Sequence, residues 1–167
     1  MKTFEQRLDE ALKSKKKWDD QSYAIIVGKF DDESVAKLVE IQKNYDLDEP
    51  QKPEEMHVTM RFWLADSVSD EIKNKMDDWA DKEVEVEAGP VKILGDEKSL
   101  AVTLKSDELM KLQKEMDEWL QSKKVPPSDF PTFLAHTTIG YGAEDGTTNH
   151  EPTKLKLVKF VLEDKTH

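Results

Sequence analysis

A strand, a helix, a proline-bearing loop and a second strand opening on histidine occur twice in this chain, in the same order and at nearly the same spacing. The first copy runs from Ser22-Tyr23-Ala24-Ile25-Ile26-Val27 to His57-Val58-Thr59-Met60, and the second from Ser99-Leu100-Ala101-Val102-Thr103-Leu104 to His136-Thr137-Thr138-Ile139. Ser22 precedes His57 by 35 positions, and Ser99 precedes His136 by 37. Identity between the copies is low when Ser22 is aligned with Ser99. Element order, spacing and the closing His-x-Thr agree, and that agreement is hard to obtain by accident. Two such units are expected to pack about a pseudo-twofold axis and to bring both His-x-Thr strands to one cleft.

The rest of the chain reads as interspersed helices and strands. Phe4, Leu8, Ala11 and Leu12 recur at helical spacing and end in Lys15-Lys16-Lys17, where cations suit a helix C-terminus. Val35, Leu38, Val39, Ile41 and Tyr45 mark a second helix, with Asp31, Asp32 and Ser34 as N-cap choices. Val68, Ile72, Met76 and Trp79 mark a third. Leu109, Leu112, Met116, Trp119 and Leu120 mark a fourth, opened by Ser106 or Asp107. Strands are expected at 22–28, 56–64, 83–87, 91–94, 100–104, 134–141 and 154–162, with Gly89-Pro90 breaking the third from the fourth. Without strict βαβ alternation, this is an α+β pattern with mostly antiparallel sheets. The whole of 1–167 is expected to be one bilobal domain with interleaved lobes.

In a strand, successive side chains alternate faces. Val58, Met60 and Phe62 then share an apolar face, while His57, Thr59 and Arg61 share the other; His136, Thr138 and Gly140 likewise fall together. One histidine on a strand is most often structural, but two at equivalent places of a repeat point to chemistry. Two imidazoles can serve as base and acid near neutral pH, since free histidine titrates at about 6.5. The repeat's symmetry leaves open which does which. Thr59 and Thr138 are candidate hydroxyl donors to an oxygen on which charge develops, and Arg61 either adds a cation or pairs with an acid. Tyr23 is the first candidate for stacking on a base and Tyr141 another; Trp63 and Phe133 read as core. Gly140, Gly142 and Gly146 allow a moving loop, though a plain connector is the simpler reading. His150 and His167 fall in a loop and at the terminus.

Composition narrows the chemistry. Cysteine is absent, which removes disulfides, thiolate catalysis and cysteine-ligated metal centres. Neither motif has a carboxylate or second histidine at ligand spacing, so no metal or other cofactor is expected. The net charge of −11 disfavours a long polyanion or an anionic membrane as partner, but a locally positive pocket can still hold a small anion. There is no run of 18 apolar residues. The opening Met1-Lys2-Thr3-Phe4-Glu5 lacks a signal-peptide core, so a cytoplasmic protein is expected. Its oligomeric state is not readable from the sequence.

At His57-Val58-Thr59 and His136-Thr137-Thr138 the chain resembles the 2H phosphoesterase superfamily, the LigT-like proteins, which is defined by two His-x-Thr/Ser motifs on related lobes. The likeness extends from about Ser22 to Leu162. It implies a bilobal α+β fold around a cleft, metal-independent cleavage of phosphodiesters in small nucleotides or RNA ends, and catalysis by His57, Thr59, His136 and Thr138. The lead-in Pro53-Glu54-Glu55-Met56-His57 resembles phage-encoded members that degrade the cyclic oligonucleotide signals of bacterial CBASS immunity. That implies a cyclic-oligonucleotide substrate and action in the host cytoplasm. The opening helix and the long loop after Tyr141 depart from the family pattern. Alternatives are a 2′,3′-cyclic phosphate RNA-end phosphodiesterase, a non-catalytic protein that sequesters a nucleotide signal, and an interaction protein whose histidines are incidental.

Overall fold

The computed structural model describes residues 22–127 and 133–166. The expected opening helix, with its lysine run, lies outside these residues. Along the chain run β1 (Tyr23–Phe30), α1 (Asp32–Gln42), β2 (Glu49–Pro50), a 3-10 turn (Pro53–Glu55) and β3 (His57–Leu64). Then follow α2 (Asp70–Trp79), β4 (Val84–Leu94), β5 (Ser99–Lys105), α3 (Asp107–Ser122), β6 (His136–Tyr141) and β7 (Thr153–Lys165). Each helix starts at a short polar side chain that takes up an otherwise orphaned amide. Asp31 accepts from the Ser34 amide at 2.8 Å, Ser69 from Ile72 at 3.3 Å and Ser106 from Leu109 at 3.1 Å. Such a cap contributes about 1 kcal/mol.

The expected break at Gly89-Pro90 does not end a strand. β4 runs through it as 11 continuous residues, and the disruption is a register shift against β5 between Ala88 and Val91. A bulge leaves a residue outside the ladder, so the missing proline N–H costs no ladder bond there.

The strands form one seven-stranded sheet in the order β2-β6-β5-β4-β7-β1-β3. Every pairing is antiparallel. The two repeat units appear as β1–α1–β3 and β5–α3–β6, and β4 with β7 joins them across the middle. The sheet curls so far that β3 comes within 8 Å of β6, Cα to Cα. This curl brings the two motif strands together although they lie far apart in sheet order.

All three helices cover one face. Leu38 and Ile41 of α1, Ile72 and Trp79 of α2, and Leu109 and Met116 of α3 join the inward residues of both units in one continuous apolar core. Each fully buried aliphatic or aromatic side chain there adds roughly 1.5–3 kcal/mol. The opposite face carries a smaller cluster of Tyr23, Ile25 and Val27, with Phe62 and Val161 against it. No helix among the described residues is long and apolar enough to cross a membrane.

Candidate active site

The motif residues sit on the face turned away from the helices. Val58 and Met60 are buried in the core, whereas His57 and Thr59, which alternate with them, are only half-buried. In the second unit Thr137 and Ile139 are buried, while His136 and Thr138 lie on the outer side. The pleat thus places both His-Thr pairs as the sequence suggests. The curl then brings them close enough that the charge of His136 bears on His57.

Both imidazoles are held in the same way. His57 Nδ1 lies 2.8 Å from the carbonyl oxygen of Glu55, and His136 Nδ1 lies 2.7 Å from that of Leu134. A carbonyl can only accept, so each Nδ1 carries the hydrogen and each Nε2 is the nitrogen left to exchange a proton. The acceptor is two residues before the histidine in both units. Local backbone therefore fixes the tautomer and ring orientation in both units. Burial, with help from the positive charges of Lys29 and His136, pushes His57 down to about 4. Its imidazole is neutral through the neutral pH range. Thr138 Oγ1 shares a 3.1 Å hydrogen bond with Ser99 Oγ.

The ladder corrects the phase of the repeat. Thr59 lies opposite Val27 and His57 opposite Lys29; Thr138 lies opposite Ala101 and His136 opposite Thr103. Lys29 is thus the counterpart of Thr103, and Val27 of Ala101. Matching Ser22 with Ser99 misplaces the opening strands by three residues, an odd number. That would equate Tyr23, on the outer face, with Leu100 in the core.

Strict alternation of faces ends before Arg61. The register of β3 with β1 jumps directly after Thr59, so Met60 and Arg61 together face the core opposite Ile26. Arg61 is 3% exposed. Its Nε donates to Asp117 Oδ1 and its Nη1 to the Phe62 carbonyl, both at 2.8 Å, and Nη2 donates to the Pro126 carbonyl. It pairs with an acid and does not share the histidine face. An equivalent jump follows Thr138, and it turns Gly140 inward opposite Leu100. A side chain at Gly140 would collide with Leu47.

Past the bulges, Phe62 and Tyr141 take equivalent places on the outer face. Tyr23 is also on that face, but six residues along β1 from Lys29, roughly 20 Å away at strand rise. It is buried, with its ring centroid 5.4 Å from that of Phe62. The register sets it well along β1 from His57, whereas Tyr141 lies three residues after Thr138 on β6. Trp63 is buried in the core and Phe133 packs against it. The loop after Tyr141 is pinned: Tyr45 Oη donates to the Thr147 carbonyl at 2.6 Å, and the Val91 amide donates to Thr148 Oγ1 at 3.1 Å. That is the behaviour of a connector. Lys29 escaped the sequence reading because its place beside His57 depends on a pairing between strands separated by a helix.

The same architecture occurs in solved structures. A phosphoesterase crystal structure superposes with a TM-score of 0.63 at 12% identity, over 84% of this chain and 86% of that one. Escherichia coli LigT complexed with 3′-AMP gives 0.61 at 13% identity, over 85% and 87%. The MHV ns2 PDE domain gives 0.54 at 17% identity, over 86% and 98%. No curated protein matches the chain. One antiparallel sheet folded so that β3 and β6 meet is thus the fold that this chain shares with those phosphoesterase and PDE structures. Residues 22–165 match the family model of the anti-CBASS protein Acb1, and the chain belongs to that family.

Proposed function

We propose that this protein is a metal-independent phosphodiesterase acting on small RNA-like nucleotides, foremost cyclic oligonucleotide immune signals, in the cytoplasm of an infected host cell. The observation that carries this reading is the matched pair of imidazoles, each tied through Nδ1 to the carbonyl two residues back and each followed by a threonine on the same face. The family's anti-CBASS name and a LigT structure complexed with 3′-AMP support a small-nucleotide substrate. Among the described residues, no group of three or more His, Asp or Glu is placed to hold a metal ion.

The residues divide the work as follows. His57, neutral near pH 7, acts as the base; His136 supplies the proton to the leaving oxygen; Thr59 and Thr138 donate to the nonbridging oxygens. For a 3′–5′ linkage the adjacent 2′-hydroxyl is a tethered nucleophile, and well-oriented intramolecular attack carries effective molarities of roughly 10⁵ M or more. His57 takes the 2′ proton, the 2′ oxygen bonds to phosphorus, and the P–O5′ bond breaks as His136 protonates O5′. The products are a 2′,3′-cyclic phosphate and a free 5′-hydroxyl.

The test is incubation of a 3′–5′ cyclic dinucleotide, its 2′-deoxy counterpart and a 2′,3′-cyclic mononucleotide in excess EDTA, with chromatography of the products. The ribose substrate should be cleaved and the deoxy one should resist. Equal rates for the two rule out attack by the 2′-hydroxyl. Binding without consumption makes the protein a signal sequesterer. Activity lost in EDTA and restored by zinc removes the metal-free mechanism.

A further inference from the structure

The outer face beside His57 carries two lysines that the reaction above does not use. In the ladder Lys29 lies opposite His57 on one side and opposite Lys159 on the other. Residues directly opposite in a sheet project to the same face. His57, Lys29 and Lys159 therefore form one row across β3, β1 and β7, about 10 Å long at ordinary strand spacing.

Both lysines are exposed, and neither makes an ion pair among the described residues. Three other sheet lysines, by contrast, face an acid across the ladder. Lys105 and Lys154 both lie opposite Glu87, and Lys156 lies opposite Glu85 and reaches Glu83 at 3.2 Å. Among the described cross-strand pairs, Lys29 with Lys159 is the only one that sets two like charges side by side, an arrangement that destabilises a sheet. A bound anion would relieve that repulsion. Because the chain as a whole carries −11, an anionic ligand needs local cations to approach. The other unit offers no equivalent: the residue opposite His136 is Thr103, whose hydroxyl is spent on the Pro90 carbonyl at 2.5 Å.

We propose that Lys29 and Lys159 form a second phosphate subsite, holding the non-scissile phosphate of a substrate while the scissile one lies between the histidines. This rests on the phosphodiesterase reading and deepens it. The preferred substrates carry two or more phosphodiesters, and their second phosphate lies on the His57 side of the cleft.

The test compares wild type with K29Q, K159Q and the double variant K29Q/K159Q on two substrates. One is a cyclic dinucleotide with two phosphates, the other a 2′,3′-cyclic mononucleotide with one. The ratio of kcat/KM for the first to that for the second should drop about tenfold in the double variant, the scale of one lost charge-assisted hydrogen bond. The drop should lie in KM, and K29R/K159R should restore most of it. An unchanged ratio overturns the subsite. So does an equal loss on both substrates, which would put the lysines at the scissile phosphate. If wild type cleaves neither substrate, the phosphodiesterase reading has failed on its own, and equilibrium dialysis with inorganic pyrophosphate reads the subsite directly. Weaker binding by the double variant then supports it, and equal binding overturns it.

Discussion

The two halves of the sheet are built alike and furnished differently. Each places His-x-Thr at the start of a strand, ties the imidazole to the carbonyl two residues back and slips its register directly after the threonine. The side chains around that frame diverge. Beside His57 stands the cation Lys29, and beside His136 the hydroxyl of Thr103. Where the first bulge turns Arg61 into the core, the second turns in Gly140. Where the first motif centres on Val58 at 0% exposure, the second buries a threonine. Backbone symmetry ties the two imidazoles in the same way, and the side-chain asymmetry sets a cation beside one and a hydroxyl beside the other.

The largest effects should come from breaking the pair itself. His57→Ala and His136→Ala should each lower kcat by about 10²–10⁴-fold, the usual share of one acid or base. The double variant should fall little below either single, because the two act on one proton relay. Near-wild-type turnover in one single variant would show that the halves are not equivalent in function. The pH profile sharpens the comparison. With His57 depressed to about 4, the acid limb of kcat/KM should fall only as pH drops toward that value. Folding stability should also decline as pH falls from about 6.5 to about 4, since the unfolded chain then takes up a proton at residue 57 that the folded chain refuses. His57→Gln should flatten that decline. An NMR titration of both imidazoles reads the assignment directly, and a His57 midpoint near 6.5 would refute it.

Next in size is the inward turn at the first bulge. The Arg61 side chain is 2% exposed, whereas that of Asp117 is 26% exposed. Removing one partner of a buried pair costs roughly 3–5 kcal/mol, chiefly because the other charge is stranded. Asp117→Ala strands the deeply buried guanidinium and should reach that range. Arg61→Leu strands a carboxylate that water can still reach, and should cost about 2–3 kcal/mol. Denaturant unfolding measures both. The order would be reversed if the aspartate were the more confined group. A hundredfold loss of kcat in Arg61→Leu without loss of stability would return the residue to the active site.

Much of this site could be read from residue order alone, because the relevant signals are local. The pleat puts His57 with Thr59 and His136 with Thr138, and apolar Val58, Met60 and Ile139 mark the side that must be buried. The remainder depends on pairings between distant segments. Nothing in Thr59-Met60-Arg61 signals a bulge, and plain alternation from His57 puts Arg61 on the outer face, whereas the bulge turns it inward. The Ser22 and Ser99 runs look alike because both are short buried strands, and that likeness does not carry their phase. Gly89-Pro90 holds the usual strand-breaking residues, yet a bulge absorbs them without ending β4. Lys29 and Lys159 become neighbours only when β1 lies between β3 and β7.

The smallest effect tests the middle of the motif. Val58 and Thr137 are equivalent inward positions, at 0% and 1% exposure. The Thr137 hydroxyl is buried and has no hydrogen-bond partner among the described residues. A buried, unsatisfied hydroxyl costs about 1–3 kcal/mol relative to a paired one, and an apolar replacement of the same shape removes that cost. Valine has that shape, and the first unit already carries it. Thr137→Val should therefore raise stability by about 1 kcal/mol, a gain that denaturant unfolding can resolve, and leave turnover near wild type. The converse substitution, Val58→Thr, would bury a new hydroxyl and should destabilise by a similar amount. If Thr137→Val instead destabilised the fold, the hydroxyl would have a partner, such as a buried water, and the two motif centres would differ by need rather than by tolerance.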